Sequence, residues 1–355
     1  MKISTCEVAE SIALLRQLIE TPRVSRDEKA AADLLADWMM RRGLSPQRHG
    51  NNLWLTCHDY TAERPTLLTC AHIDTVRPTD SWTRQPHQAT REGDRIYGLG
   101  SNDDGASLVS LLQTYRTVET MQRDYNLIFL ASAEEEVCGA GGIESVLPLL
   151  PHIDVALIGE PTGMQPAIAE RGLMVLDCTA HGRAGHAARQ EGDNALYHAL
   201  DDIAWIRNAT LPEVSPLLGP AKMTVTLINA GSQHNVVPDH CTFVVDVRTN
   251  EMQTNEQVLQ HIRHHLKSDV VPRSLRLKPS HISPDHPLVR RAVELGRTPY
   301  GSPTMSDQAL LACPSLKMGP GQSSRSHTAD EYIEISEIEE AIPLYTQLLS
   351  GLRLT

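Results

Sequence analysis

Apolar positions fall into two kinds of run that alternate along the chain. Over 5–19, Ile12, Leu15, Leu18 and Ile19 recur at the spacing of an amphipathic helix. Ser25-Arg26-Asp27-Glu28 reads as a capping box opening a second helix, with Leu34, Leu35, Trp38 and Met39 on its apolar face and Gly43 as its C-terminal cap. Unbroken apolar runs at 53–55, 66–71, 125–131 and 155–158 predict buried strands, and helical spacing returns near 105–119 and 142–149. Strands alternating with helices predict an α/β fold built from βαβ units around a largely parallel sheet.

Beyond Glu170-Arg171-Gly172 the order changes. Strands are predicted at 173–180, 223–228, 242–247 and 274–278, the middle pair rich in β-branched residues. Between them lie helices at 193–208, with Ala195, Leu196, Ala199, Ile203 and Ile206 on one side, and at 256–266. That order is β-α-β-β-α-β, the split motif of ferredoxin-like domains. It places an inserted domain at 172–285 within a first domain made of 1–171 and 286–355. The first domain resumes with a helix near 288–296, a strand at 315–318 and a helix near 335–349.

A length of 355 residues fits two domains, and 41% hydrophobic with 21% charged residues is ordinary for a globular chain. The net charge of -12 argues against nucleic acid and anionic membrane as partners. Seven scattered cysteines without Cys-x-x-Cys indicate neither a disulfide framework nor a zinc knuckle. Met1–Glu7 lacks the apolar core of a signal peptide, and no apolar run reaches the roughly 20 residues of a membrane span, so a cytoplasmic protein is expected.

Chemistry gathers where the predicted strands end. The 66–71 run stops at His72-Ile73-Asp74, the 125–131 run at Glu134-Glu135-Glu136, and the 155–158 run at Gly159-Glu160-Pro161-Thr162, while Asp103 closes Gly98–Asp103 before a helix. In open α/β sheets, sites collect beyond the carboxyl ends of strands. Four or five carboxylates in one crevice repel one another, and divalent cations remove that penalty. Imidazole with carboxylate suits zinc, with cobalt or manganese as alternatives. Two such metals activate water and polarise a carbonyl, and a remaining carboxylate serves as general base. Gly98-Leu99-Gly100-Ser101-Asn102-Asp103 puts Asp where a dinucleotide fingerprint needs its third Gly, which excludes that reading. Neither a Gly-x-Ser-x-Gly elbow nor His-Glu-x-x-His is present.

Taken in order, His72-Ile73-Asp74, Gly98–Asp103, Glu134-Glu135-Glu136, Gly159–Thr162, Gly185-His186-Ala187 and Ser326-His327-Thr328 resemble the motifs of a di-zinc family. It comprises aminoacylases, acetylornithine deacetylases, succinyl-diaminopimelate desuccinylases and several carboxypeptidases. The match runs from about residue 10 to about 335, and within the family the chain is most similar to bacterial acetylornithine deacetylase-type proteins. The resemblance implies a zinc-exopeptidase-like catalytic domain and an inserted ferredoxin-like lid and dimerisation domain.

It also implies roles. Asp103 resembles the carboxylate bridging two zinc ions, His72 and Glu160 the ligands of one, and Glu136 and His327 those of the other. Asp74 resembles the group orienting the first histidine, Glu135 the general base, and Glu134 the family's usual Asp. A shift of one residue would make Glu134 the base and Glu135 the ligand. In the lid, His186 resembles a histidine that reaches the partner subunit's site to stabilise the tetrahedral oxyanion. Asn235, Arg248, Thr304 and Ser306, with Asp307 beside them, resemble substrate-binding positions. Asp103-Asp104-Gly105 departs from the usual Asp-x-Lys-Gly.

Expected, then, is a homodimeric zinc amidohydrolase acting on a small N-acyl amino acid. Nα-acetyl-ornithine comes first, with the Nα-succinyl compound or the corresponding citrulline next, in arginine biosynthesis. A succinyl-diaminopimelate desuccinylase or a di-zinc dipeptidase or carboxypeptidase is the alternative within the chemistry. A non-catalytic metal-binding protein on the same fold is the alternative outside it.

Overall fold

The strand Thr66–His72 is buried from end to end, and its neighbours explain why. In the computed structural model, which describes residues 5–354, it lies between Asn126–Ser132 and Val155–Ile158, parallel to both. Successive side chains leave opposite faces of a strand. Leu67 and Ala71 therefore join one core, with Leu127 and Phe129, while Leu68 and Cys70 join another, with Ile128 and Leu130. Cover on both faces is what makes such strands read as continuous apolar runs.

Ser315–Lys317 continues the parallel centre beside Val155–Ile158, and antiparallel strands flank it: Asn52–Thr56 and then Gln47–His49 on one side, Ala167–Glu170 on the other. The result is a mixed sheet with a parallel middle. Helices Thr5–Glu20, Ala106–Val118 and Ile335–Leu349 pack together on the larger core. A small antiparallel sheet joins Thr90–Glu92, Arg95–Tyr97 and Tyr332–Glu334.

The chain divides into two compact units. One holds residues 1–168, 282–300 and 306–355, and the other holds residues 169–281 and 301–305. Residues 1–4, which include most of the segment read for a signal peptide, lie outside the described residues.

Within the second unit, Lys222–Ala230, His240–Thr249, Gly172–His181 and Asp269–Pro272 are neighbours in that order, all antiparallel. Helices Ala195–Asn208 and Asn255–His265 supply the rest of its core, so the element order is β-α-β-β-α-β. Met174, Leu176, Cys178 and Ala180 are buried on the long first strand, while alternate positions are partly or fully open.

Two sequence expectations are corrected. The last strand of this unit is Asp269–Pro272, not 274–278. Val270 enters the core and pairs with Cys178, whereas 274–278 meets the first strand through the Leu173 amide, which donates to the Leu277 carbonyl at 3.0 Å, while the Asn255 side chain donates to the carbonyls of Leu275 and Leu277. The second correction concerns 25–28. The helix Lys29–Met40 starts with no side-chain cap, because the Ser25 hydroxyl donates to Asp74 instead and Arg26 turns through a left-handed φ of 74°. No helix among the described residues is long and apolar enough to cross a membrane, and all seven cysteines are free thiols.

Candidate metal centre

Segments that follow the carboxyl ends of the parallel strands deliver polar side chains to one spot. His72 is the last residue of its strand. Its Nε2 lies 3.1 Å from Asp103 Oδ1 and 4.0 Å from Glu135 Oε2. His327 Nε2 is 2.9 Å from Glu136 Oε2 and 3.7 Å from Asp103 Oδ2. Ligand atoms of His72, Glu135 and Glu160 lie within 4.8 Å of one another, and so do those of His72, Asp103 and Glu136. Two imidazoles and four carboxylates thus converge, with Asp103 touching both histidines.

Asp74 ties the first histidine to the acidic turn. Its backbone carbonyl is 2.9 Å from His72 Nδ1, and its carboxylate accepts from the Glu135 and Glu136 amides at 3.0 and 3.2 Å. The Ser25 hydroxyl holds it from below at 2.6 Å. Glu134 does not join the cluster: at a left-handed φ of 53° it turns toward Arg26, 3.7 Å away, over Gly139 and Gly141. A side chain at either glycine would collide with the Glu134 carboxylate.

Three residues that sequence reasoning missed brace this spot. Arg23, wholly buried, donates to the carbonyls of Ile73 at 2.5 Å and Gly100 at 2.7 Å, joining the His72–Asp74 and Gly98–Asp103 segments. Glu331 accepts from the amides of Gly100, Asn102 and Asp103 at 2.8–2.9 Å. Ser132 donates to the buried Asp307 carboxylate at 2.6 Å. Arg23 carried no sequence signal. Glu331, four residues beyond His327, was an acidic residue that could have been noticed.

Electrostatics follow from burial. Desolvation raises Glu135 and Glu160 well above the usual carboxyl range, and neighbouring carboxylates push the same way. For His72 desolvation works against the charged form, yet Asp103 and Asp74 prevail and hold the ring protonated well above its ordinary value. Asp103 is lowered despite its burial, by His72. Burial drives Asp104 up to about 7, so this departure from the family pattern carries only part of a negative charge at neutral pH. Such crowding is relieved by cations, and the donor set of imidazole nitrogen and carboxylate oxygen fits divalent transition metals.

The other residues singled out from sequence belong to the second unit, except Ser306. There His186 pairs with Val236, and the Ala187 amide donates to the Asn235 carbonyl at 2.9 Å, which makes His186 and Asn235 neighbours. Arg248 is engaged by Asp246, with Nε and Nη2 at 2.8 and 3.1 Å from its carboxylate. Thr304 lies within 3.0 Å of the Ser302 hydroxyl. Ser306, in the first unit, is buried and accepts from the Gln308 amide at 3.3 Å.

Known proteins resemble the chain in sequence or in fold. Acetylornithine deacetylase of Proteus mirabilis is 29% identical over 378 residues, spanning 96% of this chain and 96% of its own. The enzyme of the same name from Edwardsiella ictaluri is 28% identical over 95% of this chain and 96% of its own. Among solved structures, an aminopeptidase of Bacillus cereus superposes with a TM-score of 0.77 at 16% identity, covering 96% of this chain and 98% of that one. A Bacillus subtilis protein described as a dinuclear metal-binding peptidase superposes at 0.75 and 15% identity over 99% and 100% of the two chains. At such identities the superpositions speak for the fold. The profile of peptidase family M20/M25/M40 matches residues 68–351, from within the central strand to the last helix, and the chain belongs to that family.

Proposed function

We propose that the chain is a metal-dependent deacylase, hydrolysing the amide of an N-acyl amino acid to a carboxylate and a free amine. Nα-acetyl-ornithine is the first substrate of this reading, followed by Nα-succinyl-ornithine and acyl-citrulline. One observation carries it: two imidazoles and four carboxylates crowd together in a chain that aligns nearly end to end with acetylornithine deacetylases.

In this reading His72 and Glu160 would hold one divalent cation, Glu136 and His327 would hold a second, and Asp103 would contribute to both. When bound, zinc, cobalt or manganese polarises the acyl carbonyl and lowers the pKa of water. Glu135 takes the proton of the attacking water and hands it to the departing amine nitrogen. The Asp74 carbonyl engages His72 Nδ1, which directs Nε2 toward Asp103 and the cluster as a ligand atom. His186 stabilises the oxyanion, Asn235, Arg248, Thr304 and Ser306 hold the amino-acid portion, and the enzyme works as a homodimer.

The test incubates protein with zinc, cobalt or manganese and measures amine released from acetyl- and succinyl-ornithine, acetyl-citrulline, succinyl-diaminopimelate and a dipeptide. Release from an acyl-ornithine or acyl-citrulline supports the reading. Release only from the dipeptide or the diaminopimelate compound refutes the substrate, and release from none refutes the activity.

A further inference from the structure

The loops that build the centre continue past it into a cleft of about 590 Å³ in the first unit. His72 and Asp74 belong to the centre, and the next residues, Thr75, Val76 and Arg77, line the cleft. The acidic turn behaves likewise, with Glu136 in both places and Val137 in the cleft wall. Opposite stand Val24, Ser25, Arg26 and Asp27. Backbone hydrogen bonds fasten the two sides: the Ser25 amide donates to the Thr75 carbonyl at 3.1 Å, and the Thr75 amide to the Arg23 carbonyl at 2.9 Å. The cleft is a paired, preformed wall, of a size suited to a small molecule.

Its cations differ in their commitments. Arg26 leans on Glu134 at 3.7 Å, whereas Arg77 has no hydrogen-bond or ion partner among the described residues. Around them are Val24, Val76 and Val137. A free guanidinium beside short apolar side chains suits a carboxylate on a brief aliphatic spacer, because Arg binds carboxylates bidentately. In a chain of net charge -12 with an acidic centre, an anionic substrate needs such a local positive group.

We propose that Arg77 binds a carboxylate of the substrate in this cleft and so sets which acylated amino acids are taken. The inference rests on the deacylase reading for the identity of that substrate. Two carboxylates qualify, the α-carboxylate of the amino acid and the distal carboxylate of a succinyl-type acyl chain.

The experiment measures binding of Nα-acetyl-ornithine, Nα-succinyl-ornithine and the α-amide of Nα-acetyl-ornithine by calorimetry. The protein is Glu135→Gln, zinc-loaded, with Arg77 intact, as Arg77→Lys or as Arg77→Gln. Arg77→Gln is expected to weaken binding about tenfold or more, with Arg77→Lys between, and with unfolding temperature unchanged for this exposed residue. Loss confined to the succinyl compound assigns the distal carboxylate. Loss for both acids, with the α-amide weak and indifferent to Arg77, assigns the α-carboxylate. Equal affinities in all three proteins overturn the inference and leave the deacylase reading standing. Arg77-dependent binding without amine release when Glu135 is intact does the reverse. Absence of any binding overturns both.

Discussion

The two units spend their polar residues differently. In the first, the functional groups stand at the ends of strands covered on both faces, and His72, Asp103, Glu135 and Glu160 are held in a desolvated pocket where each group's charge depends on the others. In the second, one sheet face carries both helices, and the outer strand Lys222–Ala230 is largely exposed, with Leu227 57% accessible. Its singled-out residues make local contacts, such as the Arg248–Asp246 pair two residues apart. Substitutions in the polar cluster of the first unit should therefore be costly and coupled, and those on the exposed outer strand of the second mild.

The sharpest break of this comparison is Glu135→Gln. Amine release should fall by about 10²–10⁴, while metal content measured by mass spectrometry stays that of the wild type. Surviving turnover would mean that Glu135 is not the base. Next comes Leu68→Ala, in the strand covered on both faces, which should cost roughly 2–5 kcal/mol in urea unfolding. A cost below about 1 kcal/mol would contradict close packing on both faces of that strand.

Asp307 tests the electrostatics. Burial pushes its carboxyl up to about 6 in the folded chain, against about 3.9 when unfolded. Folding thus takes up a proton between those values, and the associated stability is lost as pH rises through 6. In chelator-treated protein, Asp307→Asn should gain on the wild type from about pH 4 to about pH 7, by at most about 3 kcal/mol. A pH-independent difference would contradict the shift. The smallest effect belongs to the second unit: Leu227→Ala, on the exposed outer strand, should change stability by less than about 0.5 kcal/mol.

Much of the fold could be read in advance because the central strands end abruptly in acidic residues. Continuous runs such as Leu127–Ala131 have no polar face, since Phe129 and Leu130 enter separate cores, and that continuity is itself the mark of a strand covered twice. His72, Asp103, Glu135, Glu136, Glu160 and His327 were nominated by position and motif, and they do meet. What escaped were residues whose partners are remote. Ser25 looked like a helix cap because Glu28 follows three positions later, yet its partner is Asp74, 49 residues away. Arg23 bonds carbonyls 50 and 77 residues distant, and no local period encodes that. The strand Asp269–Pro272 was missed because four residues ending in proline are too few for an alternating pattern, while 274–278 offers alternation but meets the first strand at the Leu277 carbonyl rather than in a ladder.

Glu331 carries a consequence for how the molecule comes into being. It clasps amides some 230 positions earlier, and His327 beside it closes on Glu136. A nascent chain emerges from the ribosome in order, so the loop from Gly98 to Asp103 waits for its clasp until residue 331 has been made. Any chain stopping before residue 327 would thus be born without the complete cluster.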